Sequence, residues 1–327
     1  MLLNIVITII GAALVLVGAD KLTDGSVAVA RRFSIPELVI GLTIVAMGTS
    51  LPEFIVSLLA SIDGSPAMGI GNVVGSNLFN TLMIVGVTAA VSPIAVQAST
   101  VRKDIPFSIL ASIVLAALCL DTYLDDNAST DILSRGDGIA LLGFFAVFMA
   151  YTFAIAHNGE MGSDANSNAD SAEATLASMP IWKTIVYILL GFAGLIFGGQ
   201  LFVDGASEIA RELGISDAVI GLTLIAGGTS LPELATSIIA ARKGQSGLAI
   251  GNVIGSNLFN VFWILGLCSA ITPMPVAGIT VLDLTVLIGS GVLFWLFSKT
   301  QLRIVRWEGF ILVAAYVGYV AWLIANL

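Results

Sequence analysis

The chain contains one histidine and two cysteines in 327 residues, and only 11% of it is charged. His157 has no second imidazole near it in sequence, and Cys119 and Cys268 stand alone in separate apolar segments. That spacing argues against zinc or copper ligation and against a disulfide framework. The same scarcity leaves the repeated serines without a base for nucleophilic chemistry, so the chain reads as a non-enzyme that needs no cofactor. Cations are few as well, 13 Lys and Arg against 22 Asp and Glu for a net charge of −9, which removes the footprint expected of a nucleic-acid-binding protein. The acids concentrate in two hydrophilic connections, Asp121–Asp137 and Glu160–Glu173, where solvation accounts for them.

What the chain has instead is apolar length. Hydrophobic residues make up 57% of it and the mean hydropathy is +1.01, which places it in a bilayer. Since a span takes about 20 apolar residues, ten candidates can be drawn, at roughly 2–19, 38–61, 67–91, 105–120, 138–156, 182–202, 218–241, 247–271, 281–297 and 305–325. The first resembles a signal peptide only superficially. It lacks a basic leader, and its Gly11, Gly18, Asp24 and Gly25 recur as Gly191, Gly198, Asp204 and Gly205, so it is expected to be retained.

That recurrence belongs to a larger one. Gly41–Asn80 repeats as Gly221–Asn260 with a displacement of 180 residues, no insertion, and 23 of 40 positions identical. A duplication whose copies are separated by five spans must place the second copy upside down. The expected fold is therefore an all-α membrane protein of ten transmembrane helices, arranged as two inverted five-helix repeats. Residues 1–157 form the first repeat, 158–180 a short acidic cytoplasmic linker too polar to fold alone, and 181–327 the second repeat.

Charge distribution bears on orientation separately. Connections after odd-numbered spans hold Lys21, Arg31, Arg32, Arg102, Lys103, Lys183, Arg242, Lys243, Lys299, Arg303 and Arg306, while the other side holds Arg135 and Arg211, eleven against two. Basic residues gather in the cytoplasm, so both termini are expected outside, in a multi-pass protein of the cell (inner) membrane.

The duplicated segment is polar where a membrane is least tolerant of it. In Gly48-Thr49-Ser50-Leu51-Pro52-Glu53, proline withholds an N–H from the preceding turn and its ring clashes there, so the helix should kink or open. Thr49 and Glu53 are four apart and should share a helix face with freed carbonyls; Thr229, Ser230, Pro232 and Glu233 repeat the pattern. A glutamate snorkelling to the interface would lie at a span end, whereas Glu53 and Glu233 lie mid-span, which marks them as functional. Ser76 and Asn80, with Ser256 and Asn260, add oxygens from the following span, again four apart. For Asn72, Asn77, Asn252 and Asn257, interhelical hydrogen bonding is as good an explanation as ion contact. The Gly71/Gly75 and Gly251/Gly255 pairs suit close helix packing. Oxygen donors without nitrogen or sulfur favour hard cations, calcium over magnesium.

At these residues the chain resembles the cation/calcium exchanger superfamily, in its sodium/calcium exchanger branch. The doubled G-T-S-x-P-E motif carries the likeness, and the ten-span layout extends it over the whole chain. The resemblance implies antiport of Na+ against Ca2+ by alternating access at a midplane site, with Glu53 and Glu233 as ion ligands. Around them it implies Thr49, Ser50, Thr229, Ser230, Ser76, Ser256, Asn80 and Asn260, with the backbone carbonyls of Ala46 and Ala226. Potassium-dependent relatives carry aspartate where this chain has Asn260, which argues against potassium co-transport, and the large regulatory loop of animal members is absent. The alternative is an H+/Ca2+ or other cation exchanger using the same site. The expected partners are the lipid bilayer and the transported inorganic cations, with no nucleic acid and no obligatory protein partner evident.

Overall fold

The computed structural model describes residues 1–63, 66–124, 129–158, 179–213 and 226–325. It is helical almost throughout. In chain order the helices are α1 (Leu2–Arg32), α2 (Glu37–Ile40), α3 (Ala46–Thr49), α4 (Leu51–Ile62), α5 (Pro66–Leu78), α6 (Val85–Val91), α7 (Ile105–Leu118) and α8 (Asp121–Leu124). The second half supplies α9 (Arg135–Asn158), α10 (Ile181–Glu212), α11 (Ala226–Gly228), α12 (Leu231–Arg242), α13 (Ser246–Leu258), α14 (Gly266–Ile271), α15 (Val281–Lys299) and α16 (Arg306–Ala325). Turns of π-helix join α2 to α3 (Gly41–Val45), α5 to α6 (Phe79–Ile84) and α13 to α14 (Phe259–Leu265), and another (Thr100–Asp104) precedes α7.

Among the described residues, seven helices are long and apolar enough to cross a membrane, and an eighth span results if the bent pair Glu37–Thr49 and Leu51–Ile62 counts as one. The other two expected spans look different. At 1.5 Å per residue, the 14 residues of α7 reach about 21 Å, short of a bilayer core until the preceding π turn is added. Residues 214–225, which include most of the first half of the expected seventh span, lie outside the described residues, as do residues 159–178 of the expected linker.

The apolar exposure is that of a lipid-facing surface. Leu2, Leu3, Ile9, Phe153, Trp182, Leu189, Phe197 and Phe310 are all exposed, far more apolar area than water tolerates on one protein. The chain is an integral membrane protein. Two spans behave otherwise. Ala67–Val91 and Ser246–Ile271 are each 78% buried, against 17–33% for the other five, so these two form the centre around which the rest is arranged.

Outside the centre, α1 and α10 lie antiparallel, with the N-terminal amine 2.6 Å from Glu212 at the far end of α10. Glycine permits their approach: a Cβ on Gly11 would come within 2.8 Å of the Gly198 carbonyl, and one on Gly18 within 2.9 Å of the Gly191 carbonyl. Gly251 and Gly255 likewise let α13 press against the backbone of the Gly41–Val45 turn, whose Leu42 Cα would be 2.7 Å from a Cβ on Gly255. The stretch of the second repeat that corresponds to this turn, residues 221–225, lies outside the described residues.

Both α1 and α10 run well past the apolar stretches that mark their spans, to Arg32 and Glu212 rather than about 19 and 202. Charge limits burial in lipid but does not stop a helix, and no breaker occurs in α1 until Phe33 and the left-handed Ser34 (φ 55°) before Pro36. The polar extension of α1 is held by Lys243, whose Nζ lies 2.6 Å from Asp20 and 2.7 Å from Asp24.

Two short antiparallel ribbons tie the loops. β1 (Ile94–Ala95) pairs with β4 (Arg303–Ile304), and β2 (Ile132–Leu133) with β3 (Met274–Pro275). Loops after the third and ninth expected spans thus meet at one end, and loops after the fourth and eighth meet at another.

Candidate cation site

The chain opens where proline requires it. Helix α3 ends at Thr49, Ser50 takes φ −83° and ψ 9°, and α4 restarts with Pro52 in its first turn at a bend of 48°. Pro52 is harmless there because first-turn amides lack intrahelical partners anyway. The second copy does the same: α11 ends at Gly228, Ser230 takes φ −91° and ψ 7°, and α12 begins with Pro232 in its first turn. Each break leaves its glutamate in the first turn of a new helix, where backbone dipoles favour an anion.

Glu53 and Glu233 are each 1% exposed, and each is held by the opposite half of the chain. Ser230 Oγ donates to Glu53 Oε1 at 2.8 Å, and Ser50 Oγ to Glu233 Oε1 at 2.8 Å. From the following helices Ser76 Oγ reaches Glu53 Oε1 at 3.4 Å and Ser256 Oγ reaches Glu233 Oε1 at 3.4 Å, while Ser230 Oγ also lies 3.2 Å from Ser76 Oγ. The two carboxylates are therefore joined to one polar centre through crossed hydroxyl bonds. Neither has an ion-pair partner among the described residues.

Asn80 and Asn260 sit in the π turns that interrupt the two central helices, and each is 1% exposed. Asn80 donates to Asn257 Oδ1 at 3.1 Å and Asn260 to Asn77 Oδ1 at 3.0 Å. Both use their amide nitrogens, which leaves their oxygens free. Glu53 Oε2, Glu233 Oε2, Asn80 Oδ1 and Asn260 Oδ1 are all buried with no hydrogen-bond donor. Each such oxygen costs about 1–3 kcal/mol, more when charged, and they occur as two equivalent pairs. No group of three or more His, Cys, Asp and Glu placed to hold a metal ion occurs among the described residues, so any cation held here would rely on neutral oxygens beside the two carboxylates.

Thr49 departs from the shared-face expectation. The turn at Ser50 separates it from Glu53, and its hydroxyl donates to Val45 O at 3.0 Å and approaches Asn252 Oδ1 at 3.2 Å, across the repeat boundary. A bend between the two residues cancels the four-residue periodicity that would have aligned them. Thr229 lies half-buried at the second break. Ala46 is buried, and its carbonyl accepts the Ser50 N–H at 3.0 Å and, more weakly, the Thr49 hydroxyl at 3.4 Å. Ala226 opens α11.

The other asparagines brace the helices. Asn72 Nδ2 donates to Ser57 Oγ at 3.0 Å and Glu53 O at 3.3 Å, and Asn252 Nδ2 to Ser237 Oγ at 3.1 Å and Glu233 O at 3.3 Å. Asn77 donates to Asn257 O at 3.2 Å and Asn257 to Thr81 Oγ1 at 2.9 Å. Ser57, Ser237 and Thr81 were not singled out from sequence. The signal for the first two was present: each lies four residues after its glutamate, in both copies.

Fold and centre together define a helical membrane protein with a duplicated, oxygen-lined polar core. The sodium/calcium exchanger protein family model matches residues 3–154 and 183–325, and the chain belongs to that family, one of cation/calcium exchange. Among curated relatives, sodium/calcium exchanger MaX1 of Methanosarcina acetivorans is 33% identical, with 97% of each chain covered. Inner membrane protein YrbG of Escherichia coli is 38% identical, covering 84% of this chain and 81% of YrbG. The solved structure of the sodium-calcium exchanger NCX_Mj in 2.5 mM Na+ and 0.1 mM Ca2+ superposes with a TM-score of 0.80 at 34% identity, covering 98% of both chains.

Proposed function

We propose that the chain is a secondary antiporter exchanging Na+ for Ca2+ by alternating access, with both ions bound between Glu53 and Glu233. The observation that carries the reading is the set of four buried acceptors without donors, Glu53 Oε2, Glu233 Oε2, Asn80 Oδ1 and Asn260 Oδ1. Their unmet capacity is what a desolvated cation supplies, and two carboxylates balance one divalent ion. Ser50, Ser230, Ser76 and Ser256 bind the other carboxylate oxygens and orient them, with Thr49, Thr229 and the carbonyls of Ala46 and Ala226 as further oxygens at the two helix breaks. MaX1 and NCX_Mj are sodium/calcium exchangers by name, which favours sodium as the counter-ion over protons.

In this reading ten helices form two inverted repeats, residues 1–157 and 181–327, joined by a cytoplasmic linker at 158–180, with both termini outside the cell (inner) membrane. The loop pairing supports it. Lys243 meets Asp20 and Asp24, and the β1–β4 ribbon gathers cationic loops, whereas β2–β3 is flanked by Asp121, Asp131 and Asp137. One end is basic and the other acidic, as the cytoplasmic preference for Lys and Arg requires.

The test is calcium flux from proteoliposomes at symmetric pH with sodium on one side only. Sodium-driven calcium movement is expected, without potassium. If calcium stays until a pH gradient is imposed, the proton-coupled alternative holds instead.

A further inference from the structure

We infer that the connection between α15 and α16 is a binding site for the phosphate headgroup of an anionic membrane phospholipid. Both helices are long and apolar enough to span, so the six residues between them, 300–305, lie at a membrane surface. The β1–β4 ribbon draws the segment before α7 against this connection, and Trp295 Nε1 fixes the two by donating to Val101 O at 2.8 Å. Arg102, Lys299, Arg303 and Arg306 thereby line adjoining cavities at this connection, and Lys103 follows Arg102 in the chain, together five of the 13 Lys and Arg.

None of the five has an ion-pair partner among the described residues. The two carboxylates nearby are buried, and neither forms an ion pair with the five cations among the described residues. Glu308, 2% exposed, accepts from Thr300 Oγ1 and the Val305 N–H, both at 2.8 Å, and Asp104, also 2% exposed, accepts from Tyr151 Oη at 3.1 Å. Lys299 rests on the Trp295 ring at 5.2 Å. Two cavities, of about 610 and 470 Å³, meet at Lys299. The surroundings suit a lipid rather than a free anion: Leu296 and Trp307, in the wall of the larger cavity, are 48% and 58% exposed, and Phe310, 62% exposed, lines an adjoining pocket with Arg303 and Arg306, offering apolar area for acyl chains where the headgroup phosphate meets Lys and Arg. Tryptophan at this depth is the usual companion of headgroups. The ribbon itself does not dictate the charge, since β2–β3 carries Asp121, Asp131 and Asp137 beside a single Arg135.

The test uses the full chain in phosphatidylcholine nanodiscs containing trace spin-labelled phosphatidylglycerol or phosphatidylcholine, with the motionally restricted fraction of each measured. The intact protein should restrict phosphatidylglycerol preferentially. Arg102→Gln/Lys299→Gln/Arg303→Gln should weaken that association about a hundredfold, and the single Lys299→Gln about fivefold, from the usual contribution per surface cation. Arg32→Gln/Lys183→Gln/Arg242→Gln, three cations removed elsewhere, should leave the preference intact, and millimolar inorganic phosphate should not displace the lipid. The site is overturned by equal restriction of both lipids, by retention of the preference in the first triple variant, or by equal loss in the second. Displacement by inorganic phosphate would make it a free-anion site and overturn the lipid assignment.

Discussion

Replacing Glu53 with glutamine isolates charge from shape. Glutamine keeps the side-chain length and one carbonyl oxygen, so the bonds from Ser230 Oγ at 2.8 Å and Ser76 Oγ at 3.4 Å retain an acceptor. What is lost is one negative charge at a position 1% exposed. A unit pair at about 4 Å in an effective dielectric of about 20 interacts by about 4 kcal/mol. If relief of the carboxylate's desolvation returns half of that, about 2 kcal/mol remain, a roughly thirtyfold loss of calcium affinity. Calcium is divalent, so this is a floor. The ion-free protein should respond with the opposite sign, because a buried carboxylate without a cation is itself a cost; its Tm should stay level or rise. Thermal unfolding with and without calcium reads both effects, since a ligand that binds only the folded state raises Tm with its concentration. Glu53→Gln should lose the calcium-induced shift and calcium exchange while keeping the ion-free Tm. A variant with an unchanged calcium shift and near-normal flux would refute the reasoning, and Glu233→Gln must behave alike.

The neutral oxygens should matter less. Ser230→Ala removes a charge-assisted hydrogen bond to Glu53 and should weaken calcium binding about tenfold, measured by the same thermal shift. Gly18→Val places branched carbon against the α10 backbone, 2.8 Å from Leu195 N for its Cβ alone, and should cost about 1–3 kcal/mol of stability, seen as a lower Tm in detergent without any change in calcium selectivity. Single cysteines at Asp63 and Lys243, which are equivalent repeat positions, should react with an impermeant thiol reagent from opposite sides of the membrane, Asp63 from outside; labelling of both from one side would contradict the inversion.

The helix break was legible because proline has one way to act: Pro52 and Pro232 cannot continue the preceding turn, and in both repeats a new helix starts one residue before the proline. The burial of Glu53 and Glu233 followed from their mid-span positions. Their partners did not, because the contacts from Ser50 to Glu233 and Ser230 to Glu53 cross 183 and 177 residues of sequence, and no local periodicity encodes which half supplies a hydroxyl. The π turns holding Asn80 and Asn260 were also invisible. A π turn is one residue wider than an α turn, a difference with no residue-type signature, yet it is where both amide oxygens are left without donors. The polar ends of α1 and α10 lie beyond what hydropathy reads, because hydropathy marks where lipid ends and not where a helix ends: Lys243, 223 residues from Asp20, receives the charges at the end of α1, and the N-terminal amine meets Glu212 at the end of α10.

The central claim is that one cation binds between the two glutamates, and the most direct measurement is the anomalous difference density of crystals grown with calcium. The account predicts a peak bounded by Glu53 Oε2 and Glu233 Oε2, at about 2.3–2.6 Å from its ligand oxygens, which disappears in Glu53→Gln crystals. A calcium peak elsewhere, or one that persists in Glu53→Gln with the same ligands and occupancy, would contradict it.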